Sequence, residues 1–89
     1  MCTMIATQIK VAGSGKAGNG WFTLGEANVS YDHPFEAPFE HALSLDFVNE
    51  ALGPSARVSV ELDVASARQL VDTINAILAK ADSGGYIVE

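Results

Sequence analysis

One stretch of this chain repeats its apolar residues at helical spacing, and it comes last. Val64, Ala67, Leu70, Val71, Ile74, Ile77, Leu78 and Ala81 fall on one face, with Arg68, Gln69, Asp72, Asn75 and Lys80 opposite. The pattern predicts an amphipathic helix of about five turns. Asp63 stands where an N-cap belongs and Gly84-Gly85 where a helix stops. A fold with one helix must build the rest of its core from strands.

Four segments ahead of the helix carry period-two alternation. The first, Met4 to Val11, sets Ile5, Thr7, Ile9 and Val11 on one face. Trp21 to Tyr31 sets Trp21, Thr23, Ala27, Val29 and Tyr31 together, with Gly25 as a bulge position. His41 to Val48 aligns Leu43, Leu45 and Phe47, and Arg57 to Leu62 aligns Val58, Val60 and Leu62. Gly13 to Gly20 reads as a glycine-rich loop joining the first two strands as a hairpin. Tyr86-Ile87-Val88 is an edge strand or a tail. The expected architecture is α+β: a four-stranded antiparallel sheet in the order ββββα, with the C-terminal helix packed on one face.

Residues 1–89 leave room for a single domain, and its core must be thin. The opposite sheet face carries Met4, Ala6, Phe22, Leu24, Ala42 and Val48 among polar residues. That is more apolar than a solvated face requires, so a homodimer or higher homo-oligomer is expected. The net charge of −6, from 11 acids against 5 bases, argues against nucleic acid and against anionic membranes. No apolar run approaches a membrane span and no segment reads as a secretory signal, so the cytoplasm is the expected address. One cysteine excludes an internal disulfide.

Chemistry concentrates in the segment Tyr31-Asp32-His33-Pro34-Phe35-Glu36-Ala37-Pro38-Phe39-Glu40-His41, which holds both histidines. If the second and third strands pair as neighbours, strand parity lets His33 and His41 sit at the same end of the sheet, facing the same way. With a carboxylate from Asp32, Glu36 or Glu40, they form a mixed N/O shell of the kind a divalent transition metal accepts. Cys2 is a further candidate ligand: removal of Met1 would leave a thiolate and an amine on one residue. The same groups also describe a small enzyme, with a histidine as acid-base and Cys2 as nucleophile. The plain structural alternative makes His33 a turn residue and His41 a rim residue bonded to backbone. On that view the protein is a binding or accessory protein that engages a protein partner.

Two other motifs fail on context. Gly13-x-Gly15-x-x-Gly18 matches a dinucleotide fingerprint, but Trp21-Phe22-Thr23 continues as strand where the fingerprint requires a helix N-terminus. Gly15-Lys16 lacks the upstream glycine and the following Ser or Thr of a phosphate-binding loop. Arg68 and Asp72 read as a surface pair on the helix.

Met1-Cys2-Thr3, Tyr31-Asp32-His33-Pro34, Glu40-His41-Ala42-Leu43, Leu45-Asp46-Phe47 and Gly53-Pro54-Ser55-Ala56-Arg57-Val58 resemble a family of small uncharacterised actinobacterial proteins. The resemblance spans most of the chain and implies a cytoplasmic bacterial protein. That family has no known activity, so the resemblance assigns no functional residue.

Overall fold

The computed structural model describes residues 5–87. Strands β1 (Ile5–Ala17), β2 (Gly20–Asp32), β3 (Ala42–Val48) and β4 (Arg57–Leu62) precede helix α1 (Val64–Ser83). A short 3₁₀ turn, Glu50–Leu52, lies between β3 and β4. The strands form one antiparallel sheet in the order β1-β2-β3-β4, so each pairs with its neighbour in sequence. The ββββα architecture is the one the alternation predicts.

The glycine-rich segment is not the loop expected of it. β1 runs through it to Ala17 and β2 begins at Gly20, leaving Gly18-Asn19 as the turn. Gly20 closes that turn at φ 121°, a conformation L side chains rarely adopt. Gly15 is required for a packing reason. A Cβ there would lie 3.0 Å from Leu24 Cδ2 and 3.4 Å from both Phe22 and Val58 side chains. Its absence lets the hairpin lean over β4.

The inward and outward residues at the start of β2 also differ from expectation. Trp21 is 70% exposed and Thr23 is exposed, whereas Phe22 and Leu24 are half-buried beside Gly15. A bulge in β1 accompanies the change. Lys10 pairs with Glu26 and Gly13 with Leu24, so Val11 and Ala12 together face Gly25. One extra residue in β1 bends and twists the ladder there. The face expected to seat a second subunit is therefore partly closed within the chain. Phe22 and Leu24 pack inward, Ala42 is 0% exposed, and Met4 lies outside the described residues.

Beyond the bulge the parity is regular. Ile9, Ala27, Phe47 and Val58 align across the four strands, as do Ile5, Tyr31, Leu43 and Leu62. This side, with odd-numbered residues from β1 to β3 and even-numbered ones from β4, is apolar. The other side is polar, with Gln8 Nε2 donating to Asn28 Oδ1 at 2.9 Å and Arg57 bridging to Asp46 at 2.9 Å.

Asp63 caps α1 as expected, its carboxylate accepting the Ser66 amide at 2.8 Å. After Gly84 the Tyr86 amide bonds back to the Ala81 carbonyl at 2.8 Å. Tyr86 and Ile87 form no strand, and Val88 lies outside the described residues. The helix follows β4 through the single residue Asp63 and approaches the sheet at β3, and Leu62 at the end of β4 lines a shallow hollow with Ser66 and Leu70. It does not bury its apolar stripe there, since none of its residues is buried. Packing of the helix on the sheet is thus slight within one chain. Ala27, Ala42 and Ala56 are the buried apolar residues among those described.

Candidate functional site

The segment from His33 to His41, between β2 and β3, has no regular secondary structure. Pro34 and Pro38 account for that: neither can donate to a ladder, and each pushes its predecessor toward extended backbone. A loop without ladder bonds needs other partners for its amides. Glu61 on β4 provides them. Its Oε2 accepts the Phe35 amide at 2.6 Å, and its Oε1 accepts those of Glu36 at 3.1 Å and Ala37 at 3.0 Å. The amides of Phe35, Ala37 and Glu36 hold the Glu61 carboxyl below the usual carboxylate range.

The loop is thus drawn toward the polar side of the sheet. Beneath it lies a hollow of about 350 Å³, with His33, Pro34 and Phe35 on the loop side and Ser30, Asp46 and Ser59 on the sheet side. In its floor, Asp46 accepts from the Ser59 hydroxyl and from the Arg57 fork, at 3.3 Å from Nε and 2.9 Å from Nη2. Burial pushes the Asp46 carboxyl up, but these hydrogen bonds and the Arg57 charge outweigh it, and the group sits low.

Both imidazoles lie at one end of the sheet, side by side. The His33 and His41 rings have centroids 4.7 Å apart, and the Tyr31 ring lies 5.6 Å from that of His41, tilted by 31°. Tyr31 pairs with Leu43 in register, so His41, two residues earlier, reaches Tyr31 diagonally. His33 is oriented by its loop: Nδ1 lies 3.1 Å from the Glu40 carbonyl. A carbonyl can only accept, so Nδ1 donates, and in the neutral ring Nε2 keeps its lone pair. Asp32 accepts the His33 amide at 2.7 Å.

The carboxylates expected to complete a metal shell are not gathered around the imidazoles. Asp32 is bonded to backbone, Glu36 and Glu40 are exposed, and no three His, Cys, Asp or Glu side chains converge among the described residues. Cys2 lies outside the described residues, so its relation to the histidines is not part of this geometry.

Glu61 is the residue sequence reasoning missed. On β4 it occupies an outward position indistinguishable from Arg57 or Ser59, and its loop partners lie 24 to 26 residues away. A signal for the loop did exist: Pro-Phe-Glu occurs at 34–36 and again at 38–40. It places two phenylalanines where no core can receive both. Phe35 is 96% exposed and Phe39 is exposed as well.

A family model matches residues 1–87. The chain belongs to DUF6295, a family of unknown function. No curated protein and no solved structure shows a significant similarity to it. Membership in DUF6295 therefore agrees with the likeness to an uncharacterised family and adds no activity. Among the described residues, no helix is long and apolar enough to cross a membrane.

Proposed function

We propose that this is a non-catalytic binding protein that engages a protein partner through the loop from His33 to His41. The observation behind this reading is Phe35, a fully solvated aromatic side chain on a backbone clamped by Glu61. Holding an exposed aromatic ring on a pinned loop has a cost in solvation and none in added core. The gain comes when a partner receives the ring, because the loop is already ordered and loses little further entropy. Aromatic anchors of this kind dominate binding energy at interfaces.

The test compares wild type with Phe35→Ser in affinity capture from the source cell, followed by calorimetry on any purified partner. Phe35→Ser keeps the circular dichroism of the wild type and binds on the order of 10- to 100-fold more weakly. A partner that binds both chains equally, or no partner that distinguishes them, overturns the reading.

A second reading has its own observation, the paired imidazoles. A divalent transition metal would take Nε2 of His33 and a nitrogen of His41, with Asp32, Glu40, Cys2, water or another chain completing the shell. Titration with Zn²⁺ or Ni²⁺ followed by elemental analysis separates the two. Stoichiometric metal that His33→Ala and His41→Ala both abolish supports this reading; no uptake by the wild type removes it.

A further inference from the structure

We propose that a second copy of this chain covers the apolar face of the sheet, the one carrying Ile9, Ala27, Phe47 and Val58, with its helix, each copy doing so for the other. This interface lies on the side of the sheet opposite the clamped loop, so it does not depend on the partner proposed above.

The chain exposes far more surface than its mass warrants. Its accessible area is 6688 Å², where a compact monomer of 9.4 kDa exposes about 5,000 Å². The Cα radius of gyration is 14.9 Å, against about 12 Å for a compact chain of this length. The surplus, roughly 1,700 Å² per chain, is about twice what one partner contributes to a standard interface and falls in the obligate homodimer range.

Two apolar surfaces contribute to that surplus. One is the apolar face of the sheet, where Ile5 is 66% exposed and Ile9 and Val60 are also exposed. The other is the stripe of α1, where Ile77 is 58% exposed, with Leu70, Val71, Ile74 and Leu78 alongside. Neither the sheet face nor the stripe from Val64 to Ala81 contains a charged residue. The described acids lie on the polar sheet face, the loops, the helix cap and the opposite side of the helix, except Asp82, which follows Leu78 by one turn at the C-terminal end of the stripe. Two acidic chains can therefore meet here without setting carboxylates against each other.

Symmetry selects the arrangement. Sheet against sheet would leave two helix stripes in water, and helix against helix would leave two sheet faces there. Reciprocal helix-on-sheet packing buries both surfaces of both copies and closes as a two-fold dimer. A helix of 20 residues is about 30 Å long, enough to cross four strands spaced about 4.8 Å apart.

The experiment is light scattering coupled to size exclusion at low micromolar concentration, with isotope-filtered nuclear Overhauser spectra on a mixture of labelled and unlabelled wild-type chains. The expected mass is twice 9.4 kDa, with intermolecular contacts between α1 methyls such as Ile77 and sheet methyls such as Ile9. Ile74→Glu, an exposed position in the single chain, abolishes the dimer, while Asn75→Glu on the polar side of the helix leaves it intact. A monomer of 9.4 kDa overturns the proposal and leaves the face to a different protein. So does a dimer whose intermolecular contacts run helix to helix only, or an Ile74→Glu chain with unchanged mass and stability.

Discussion

The carboxylate of Glu61 accepts the backbone amide of Phe35 at 2.6 Å, across 26 residues of sequence. Through this bond, and those to Glu36 and Ala37, a strand side chain does for an irregular loop what ladder bonds do for a sheet. The consequence is a proline-interrupted segment with a defined backbone and an unburied aromatic ring. Replacing the carboxylate by an amide removes charge assistance and leaves one acceptor oxygen for three donors. In Glu61→Gln, hydrogen exchange at Phe35, Glu36 and Ala37 is therefore expected to accelerate on the order of tenfold, while β3 amides keep their protection. Unchanged exchange at these three amides would show that the prolines alone hold the loop.

Three carboxylates make the fold sensitive to acid. Glu61 is held low by the Phe35, Ala37 and Glu36 amides, and Asp63 by the Ser66 side-chain and backbone hydrogen bonds. Asp46 is pushed up by burial but held low on balance by Ser59 and Arg57. A carboxylate that binds its proton less readily when folded contributes stability above its unfolded pKa, near 4. That contribution is lost as pH falls through the lower folded values. The thermal midpoint should hold level from pH 7 to about pH 5 and decline below about pH 4. Glu61→Gln should flatten part of that decline. A midpoint that rises on acidification would contradict the assignment.

Gly15 leaves room for Leu24, Phe22 and Val58 to meet. Gly15→Val places branched carbon where Leu24 Cδ2 already stands within 3.0 Å of the first atom added. The expected loss is about 1–3 kcal/mol, measured as a fall in the urea midpoint. Gly18→Ala, where an added Cβ meets nothing within 4 Å, serves as the control. Equal midpoints for the two variants would mean that the hairpin does not lean on β4 in solution.

If association supplies the missing core, stability depends on protein concentration. The thermal midpoint of the wild type should rise steadily over a hundredfold dilution series read from dilute to concentrated. Ile74→Glu should show a lower midpoint and no such dependence. A concentration-independent wild-type midpoint, measured where the chain is monomeric, would show that one copy folds alone.

The β4 strand, the α1 span and the Asp63 cap were legible from the residues because each rests on local chemistry. Alternation Arg57 to Leu62 and the 3.6-residue stripe from Val64 describe their own faces wherever the chain later packs. His33 and His41 meeting at one end of the sheet was legible for a related reason, since strand parity and a short connection bring them there. Other features depended on partners distant in sequence. The bulge opposite Gly25 comes from the β1–β2 register, and Phe22 finds cover beside Gly15 and Val58 while Trp21 stays exposed. The strand through Gly13–Ala17 forms because β2 supplies a ladder that glycine propensity gives no hint of. The clamp on the loop comes from β4 lying beside β3, and no pattern around Glu61 announces it. Local periodicity determined which segments become strand and helix; register and long-range hydrogen bonding decided which side chains face one another and which apolar surfaces one chain leaves open.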